Sequence, residues 1–252
     1  MSARLYIVGA GPGDPDLITL KAIKVLEKAE VILYDALANK DLLTYAPDSC
    51  LKIYVGKRAG MHSRQQEEIQ RMILDYAKCF EHIVRLKGGD PYVFGRGHEE
   101  LEHASSYGLE VEVIPGVSSA TAVPASAGIP LTKRGINESF WVVTGTLKDG
   151  GIPEDLYHAA QSRATVVVLM GLKKLKEIAD LFRGIRGENE PIAIIQDGTK
   201  GSEKVLVGEV GDIVCRQEMS PMTSPAILVI GNVVRERNVS VRDWLASASI
   251  CV

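Results

Sequence analysis

The sequence predicts an α/β protein of two lobes, with a mostly parallel sheet in the first and a mixed sheet in the second. Three observations predict it. Short β-branched or apolar runs alternate with segments of helical spacing, the rhythm of a parallel sheet covered by helices. A stretch rich in Pro, Gly and small residues interrupts that rhythm around residues 115–130. Beyond it the rhythm resumes, with one connection too short for a helix. A chain of 252 residues lies between one large domain and two modest ones. It is long enough to bury a substantial core.

The first-lobe strands are expected at 5–8, 31–34, 51–55, 83–86 and 111–114. Between the first two, Leu20, Ile23 and Leu26 fall at helical spacing within a predicted helix over 17–29. Ser63 and Gln66 form a capping box that opens a helix running to residue 78. Its apolar face is Ile69, Met72, Ile73 and Tyr76. A further helix opens at Glu99. Pro115, Gly116, Ser118, Ser119, Pro124, Gly128 and Pro130 mark the joint, which encloses a short Ala-rich helix. The lobes are therefore drawn as 1–116 and 117–252. Second-lobe strands are expected at 140–144, 165–169, 192–196, 204–207 and 226–230. The 196–204 connection makes an antiparallel hairpin, so this sheet is mixed.

Composition narrows the function. Hydrophobic residues at 46% and charged residues at 24% exclude disordered and collagen-like chains. A net charge of −3 and a pI near 6.0 argue against a general nucleic-acid binder. Cys50, Cys79, Cys215 and Cys251 have neither knuckle nor redox-pair spacing, as expected of a reducing cytoplasm. No apolar run approaches the ~18 residues of a membrane span, and Met1 to Arg4 lead straight into a strand with no signal-peptide design. His62, His82, His98, His103 and His158 form no HxxxH or HxH pair, so no metal is expected.

Four Gly-rich loops follow strands, where open α/β sheets bind ligands. Gly9-Ala10-Gly11-Pro12-Gly13-Asp14-Pro15 begins like a dinucleotide fingerprint, and Asp35 ends the next strand where a ribose-binding acid would stand. Asp14 occupies the third glycine position, however, and Pro12 and Pro15 remove N–H groups that a pyrophosphate would use. The loop suits a small uncharged or cationic ligand better. A plain βα turn, an NAD-binding oxidoreductase and a non-catalytic ligand-binding subunit stay open as alternatives. The second loop runs from Lys87 to Glu100 through Gly88-Gly89-Asp90-Pro91-Tyr92-Val93-Phe94-Gly95-Arg96-Gly97. Its paired glycines allow close backbone approach to a ligand. Ser118 and Ser119 open a helix after Pro115-Gly116, which is an N-cap arrangement. Met170-Gly171 and Asp197-Gly198-Thr199 punctuate two later strands.

Together with Leu33-Tyr34-Asp35, Ile114-Pro115-Gly116-Val117-Ser118-Ser119 and Gly128-Ile129-Pro130-Leu131-Thr132, these loops resemble the tetrapyrrole methylases over residues 4–231. Within that family, the block from Gly88 to Gly97 is similar to the branch that acts on uroporphyrinogen III; another corrin-ring C-methyltransferase is the neighbouring reading. The resemblance implies two α/β lobes with the active site in the cleft between them, and a cytoplasmic homodimer. It implies S-adenosyl-L-methionine as methyl donor, S-adenosyl-L-homocysteine as product and no metal. The implied reaction methylates uroporphyrinogen III at C2 and C7, giving precorrin-1 and then precorrin-2 for sirohaem, cobalamin or haem d1. It involves no nucleic acid and no membrane.

Residue by residue, the resemblance puts the donor against Pro12, Gly88, Gly89, Asp90, Val93, Ser118, Ser119, Met170 and Gly198. Asp35 and Lys57 match the family's proton acceptor and donor, and Arg96 with Glu99 joins them as a catalytic pair. The substrate carries eight carboxylates, for which Arg58, Arg64, Lys133 and Arg134 are the binding cations. Two positions depart from the family: His98 where glycine is common, and Lys133 where histidine is common.

Overall fold

The computed structural model describes residues 3–56 and 66–238. By its internal packing the chain divides into two compact units, Met1–Ser119 and Ala120–Val252.

In the first unit, β1 (Arg4–Gly9), β2 (Val31–Tyr34), β3 (Leu51–Tyr54), β4 (His82–Lys87) and β5 (Glu110–Ile114) form one sheet in the order β3-β2-β4-β1-β5. Every pairing is parallel. The helices are α1 (Leu20–Leu26), α2 (Gln66–Tyr76) and α3 (Gly97–Ser106). Alternation along the strands supplies two apolar faces. Val8, Ile32, Val84 and Leu86 pack with Leu26 of α1 on one side. Leu5, Ile7, Val31, Leu33 and Ile83 pack with Ile69 and Ile73 of α2 and Ala104 of α3 on the other.

In the second unit, β6 (Phe140–Thr144), β7 (Thr165–Leu169), β8 (Pro191–Gln196), β9 (Lys204–Glu209) and β10 (Ala226–Ile230) have the order β6-β7-β10-β8-β9. β6 and β7 are parallel, β10 runs antiparallel to both its neighbours, and β8–β9 is the expected hairpin. The helices are α4 (Ser119–Ser126), whose first residue closes the first unit, α5 (Glu154–Gln161), α6 (Leu175–Arg186) and α7 (Ile213–Met219). Phe182, Ile178 and Leu156 fill this core against Val166, Val168, Ile192 and Ile194.

Two helices differ from the sequence expectation. The helix expected over 17–29 is confined to α1, because Thr19 caps it by accepting the Ala22 N–H at 3.2 Å. Ahead of it, Asp14 accepts from the Asp16 N–H at 2.9 Å and starts a separate 3₁₀ turn at Pro15–Leu17. Helix α3 opens at Gly97, two residues before Glu99, because left-handed Arg96 ends the loop (φ 59°). The α2 helix is described from Gln66; its expected cap, Ser63, lies outside the described residues. No described helix is long and apolar enough to cross a membrane.

Candidate active site

The parallel strands of the first sheet all point their carboxyl ends toward one edge. Three of the Gly-rich loops and Asp35 lie along it. The loops after β1 and β4 are tied at Gly11 and Gly89, which exchange backbone hydrogen bonds of 3.3 and 2.7 Å. A Cβ on Gly9 would lie 2.5 Å from the Gly116 Cα and 2.7 Å from the Gly89 carbonyl oxygen. A Cβ on Gly116 would fall onto that same oxygen and 2.7 Å from the Gly9 Cα. Three loops therefore meet backbone to backbone, and side chains at 9 or 116 would separate them.

Gly89 differs from these two. Its φ of +68° is left-handed, yet a Cβ there would approach only the Ser119 backbone nitrogen, at 3.9 Å. Space opens over the Gly89 backbone beside the Ser119 backbone nitrogen. Asp90 holds the rim, accepting from the Tyr92 N–H at 2.8 Å and the Gly116 N–H at 3.1 Å. Pro12, Gly88, Val93, Ser118 and Ser119 lie part-buried on the same loops.

Beyond Val93, Phe94 and Arg96 both take left-handed backbone, with φ of 51° and 59°. Such strain in non-glycine residues persists only where the surroundings impose it, and it concentrates at functional sites. The Arg96 guanidinium grips Glu99 with two prongs, at 2.9 and 2.5 Å, in an exposed setting. That bond holds the Arg96 pKa above its ordinary value. His98, the departure noted above, turns to Glu102 at 3.3 Å and meets the Tyr92 ring edge-on.

Asp35 is part of a charge cluster that sequence reading missed. Along β4, Ile83, Arg85 and Lys87 share a face, and Arg85 and Lys87 are 2% and 4% exposed. Arg85 donates to Asp35 at 2.6 Å and to Glu100 of α3 at 3.1 Å. Glu100 is fully buried and also receives Lys87 and Gln66, at 3.1 and 2.9 Å. Burial alone would raise the Glu100 pKa, but the Arg85 and Lys87 cations hold it below the ordinary carboxylate value. Burial, and then Arg85, push the Lys87 ammonium down despite Glu100. A signal was present: Arg85 falls inside the apolar run expected as a strand at 83–86, with Lys87 just beyond it, and a charge within such a run needs a partner.

In the second unit the carboxyl ends of β6, β7 and β8 share an edge with the start of β10. Met170 is left-handed (φ 57°). It is exposed, and its carbonyl accepts from the Thr146 hydroxyl at 3.0 Å. Gly198 sits between left-handed Asp197 and Thr199 (φ 50° and 70°) and packs against the Val123 side chain of α4. Glu203 braces that turn, accepting from Thr199 N–H at 2.7 Å and Ser126 Oγ at 2.6 Å. Lys133 pairs with Glu236, and Arg134 is exposed on the adjoining turn. Buried Asn137 ties that turn down, accepting from the Lys133 N–H at 3.1 Å and donating to Thr165 at 2.8 Å. Lys57, Arg58 and Arg64 lie outside the described residues. Among the described residues, no group of three or more His, Cys, Asp or Glu is placed to hold a metal ion.

The sequence profile of the Tetrapyrrole (Corrin/Porphyrin) Methylases matches residues 4–214. A uroporphyrinogen-III C-methyltransferase of Methanocaldococcus jannaschii is 43% identical, over 93% of this chain and 98% of its own length. One from Bacillus subtilis is 44% identical, over 92% of this chain and 91% of its own length. A crystal structure of the uroporphyrin-III C-methyltransferase of Thermus thermophilus, complexed with S-adenyl homocysteine, superposes with a TM-score of 0.80. It is 40% identical and is covered completely by 93% of this chain. With its Gly-built loops at the carboxyl edge of a parallel sheet, a mixed second sheet and this likeness along nearly the whole chain, the protein belongs to the tetrapyrrole methylases.

Proposed function

We propose that this protein is an S-adenosyl-L-methionine-dependent C-methyltransferase acting on uroporphyrinogen III. The observation that carries the reading is the Gly9–Gly89–Gly116 junction, which leaves space above the Gly89 backbone beside the Ser119 backbone nitrogen. A ligand held mainly by main-chain groups suits such a cradle, and likeness to relatives of that name supports the choice. S-adenosyl-L-methionine supplies an electrophilic methyl group on a sulfonium.

In the first unit, Pro12, Gly88, Gly89, Asp90, Val93, Ser118 and Ser119 orient the donor; in the second, Met170 and Gly198 contribute to its grip. Asp35 accepts the proton that the methylated ring must lose, and Lys57 serves as donor. Positioned groups of this kind contribute typically 10²–10⁴-fold. Arg96 with Glu99 completes the catalytic set, and Arg58, Arg64, Lys133 and Arg134 bind substrate carboxylates. The methylations fall on C2 and C7 and yield precorrin-2 through precorrin-1, for sirohaem, cobalamin or haem d1. The chain acts in the cytoplasm as a homodimer, for which light scattering is expected to give a mass near twice 27.3 kDa; the monomer mass would refute it.

The deciding experiment supplies uroporphyrinogen III and methyl-labelled donor and follows label into the tetrapyrrole. Two methyl groups per ring are expected. No transfer, or calorimetry showing NAD but not S-adenosyl-L-homocysteine binding, refutes the proposal.

A further inference from the structure

The buried cluster on β4 has one end that reaches solvent. Arg85 is 2% exposed and Glu100 is fully buried, whereas the Asp35 side chain is 27% exposed. Asp35 is thus the outermost of two cations and two carboxylates whose formal charges cancel. The Arg85 guanidinium has little freedom. Its Nε donates to Glu100, its Nη1 to the Leu33 and Leu86 carbonyls at 3.3 and 3.2 Å, and its Nη2 to Asp35. Glu100 is fixed in turn by Lys87 and Gln66. The Asp35 main chain is also tied to β4, through its N–H to the Leu86 carbonyl at 3.2 Å. Both backbone and carboxylate of Asp35 are therefore referenced to the central strand.

Stability alone does not account for this arrangement. Burying ions costs desolvation that their mutual attraction often only balances, and apolar residues of similar volume commonly do as well. The opposite face of the same strand carries Val84 and Leu86 in the ordinary apolar way. What the cluster supplies is a carboxylate oxygen at a set place on the carboxyl edge.

We propose that Arg85 is a positioning residue: anchored by Glu100, it holds the Asp35 carboxylate in the orientation that proton removal requires. This rests on the role given to Asp35 under the proposed function. Displacing a reacting group by about 1 Å can lower rate by roughly 10²-fold. Arg85→Lys keeps the charge but cannot reproduce the multi-pronged geometry.

The test measures kcat, KM and S-adenosyl-L-homocysteine affinity in Arg85→Lys, Asp35→Asn, their double variant and Asp35→Glu. Arg85→Lys is expected to lower kcat about tenfold or more, with KM and donor affinity within about twofold. In the Asp35→Asn background it should lower kcat little further, because coupled residues are not additive. Asp35→Glu, at a side chain 27% exposed, keeps the charge but moves it by one methylene, and is also expected to lower kcat. Wild-type kcat in Arg85→Lys or in Asp35→Glu overturns the proposal, as does an equal Arg85→Lys loss in both backgrounds. Wild-type turnover in Asp35→Asn removes the role of Asp35 and the positioning with it. Absence of methyl transfer by the unaltered protein is a different failure and strikes the proposed function itself.

Discussion

Gly89 and Gly108 offer a controlled pair of substitutions. Both are left-handed, with φ of +68° and +81°, and neither is crowded: a Cβ at 89 meets only one atom within 4 Å, at 3.9 Å, and one at 108 meets none. Alanine at either site carries the cost of left-handed backbone, roughly 1–2 kcal/mol. For a protein of this size that is a melting-temperature drop of about 2–8 °C, similar for the two. Function separates them. Gly108 follows α3 and precedes β5, at the amino edge of the sheet, whereas Gly89 faces the proposed donor cradle. A methyl group pushed into a fitted ligand surface costs about 1–3 kcal/mol, or roughly five- to a hundredfold in Kd. Isothermal calorimetry with S-adenosyl-L-homocysteine should show that loss for Gly89→Ala and an affinity within about twofold of wild type for Gly108→Ala. Equal donor affinities in the two variants, with comparable melting temperatures, would refute the placement of the donor over Gly89.

Gly116→Ala drives a Cβ onto the Gly89 carbonyl and toward the Gly9 Cα, backbone atoms that cannot rotate away; it should cost about 3 kcal/mol or more, seen in urea unfolding. Arg134→Ala should raise KM for uroporphyrinogen III by roughly ten- to a hundredfold, the worth of a charge-assisted bond, while donor affinity stays at the wild-type value; unchanged steady-state kinetics at low salt would place Arg134 outside the substrate site. Glu100→Gln leaves the buried Arg85 and Lys87 short of a carboxylate and should destabilise by about 3–5 kcal/mol, read by thermal melting. The Glu100 pKa is held by Arg85 and Lys87 below the ordinary carboxylate value, so its contribution is present above that ordinary value and is lost as pH falls through the lower native one. The melting temperature of wild type should accordingly fall more steeply over that acid range than that of Glu100→Gln; parallel curves would contradict the ionised buried carboxylate.

What the sequence determined by itself was whatever is local. The short apolar runs of β1, β2 and β4 and the helical spacing in α2 depend on residues a few positions apart, so the βα rhythm is legible without a fold. The β8–β9 hairpin followed from a connection too short for a helix, and it forms with Gln196 opposite Lys204. The loop motifs were legible for the same reason, and they identified the family. The chain could not show what each glycine is for. Gly9 and Gly116 are interchangeable as turn residues, and only the pairing of β1 with β5 sets them back to back. Nor could it show that Phe94, Arg96, Met170 and Thr199 are left-handed, since residues of these types seldom adopt that backbone. The charge cluster is the clearest case. Arg85 reaches Glu100 fifteen residues away and Asp35 fifty residues away. Those partners meet because β2 pairs with β4 in a register that sets Leu33 against Arg85, and because α3 returns across the same face. Strand register is a property of the assembled sheet, so the tertiary structure alone decided which carboxylate the buried arginine holds.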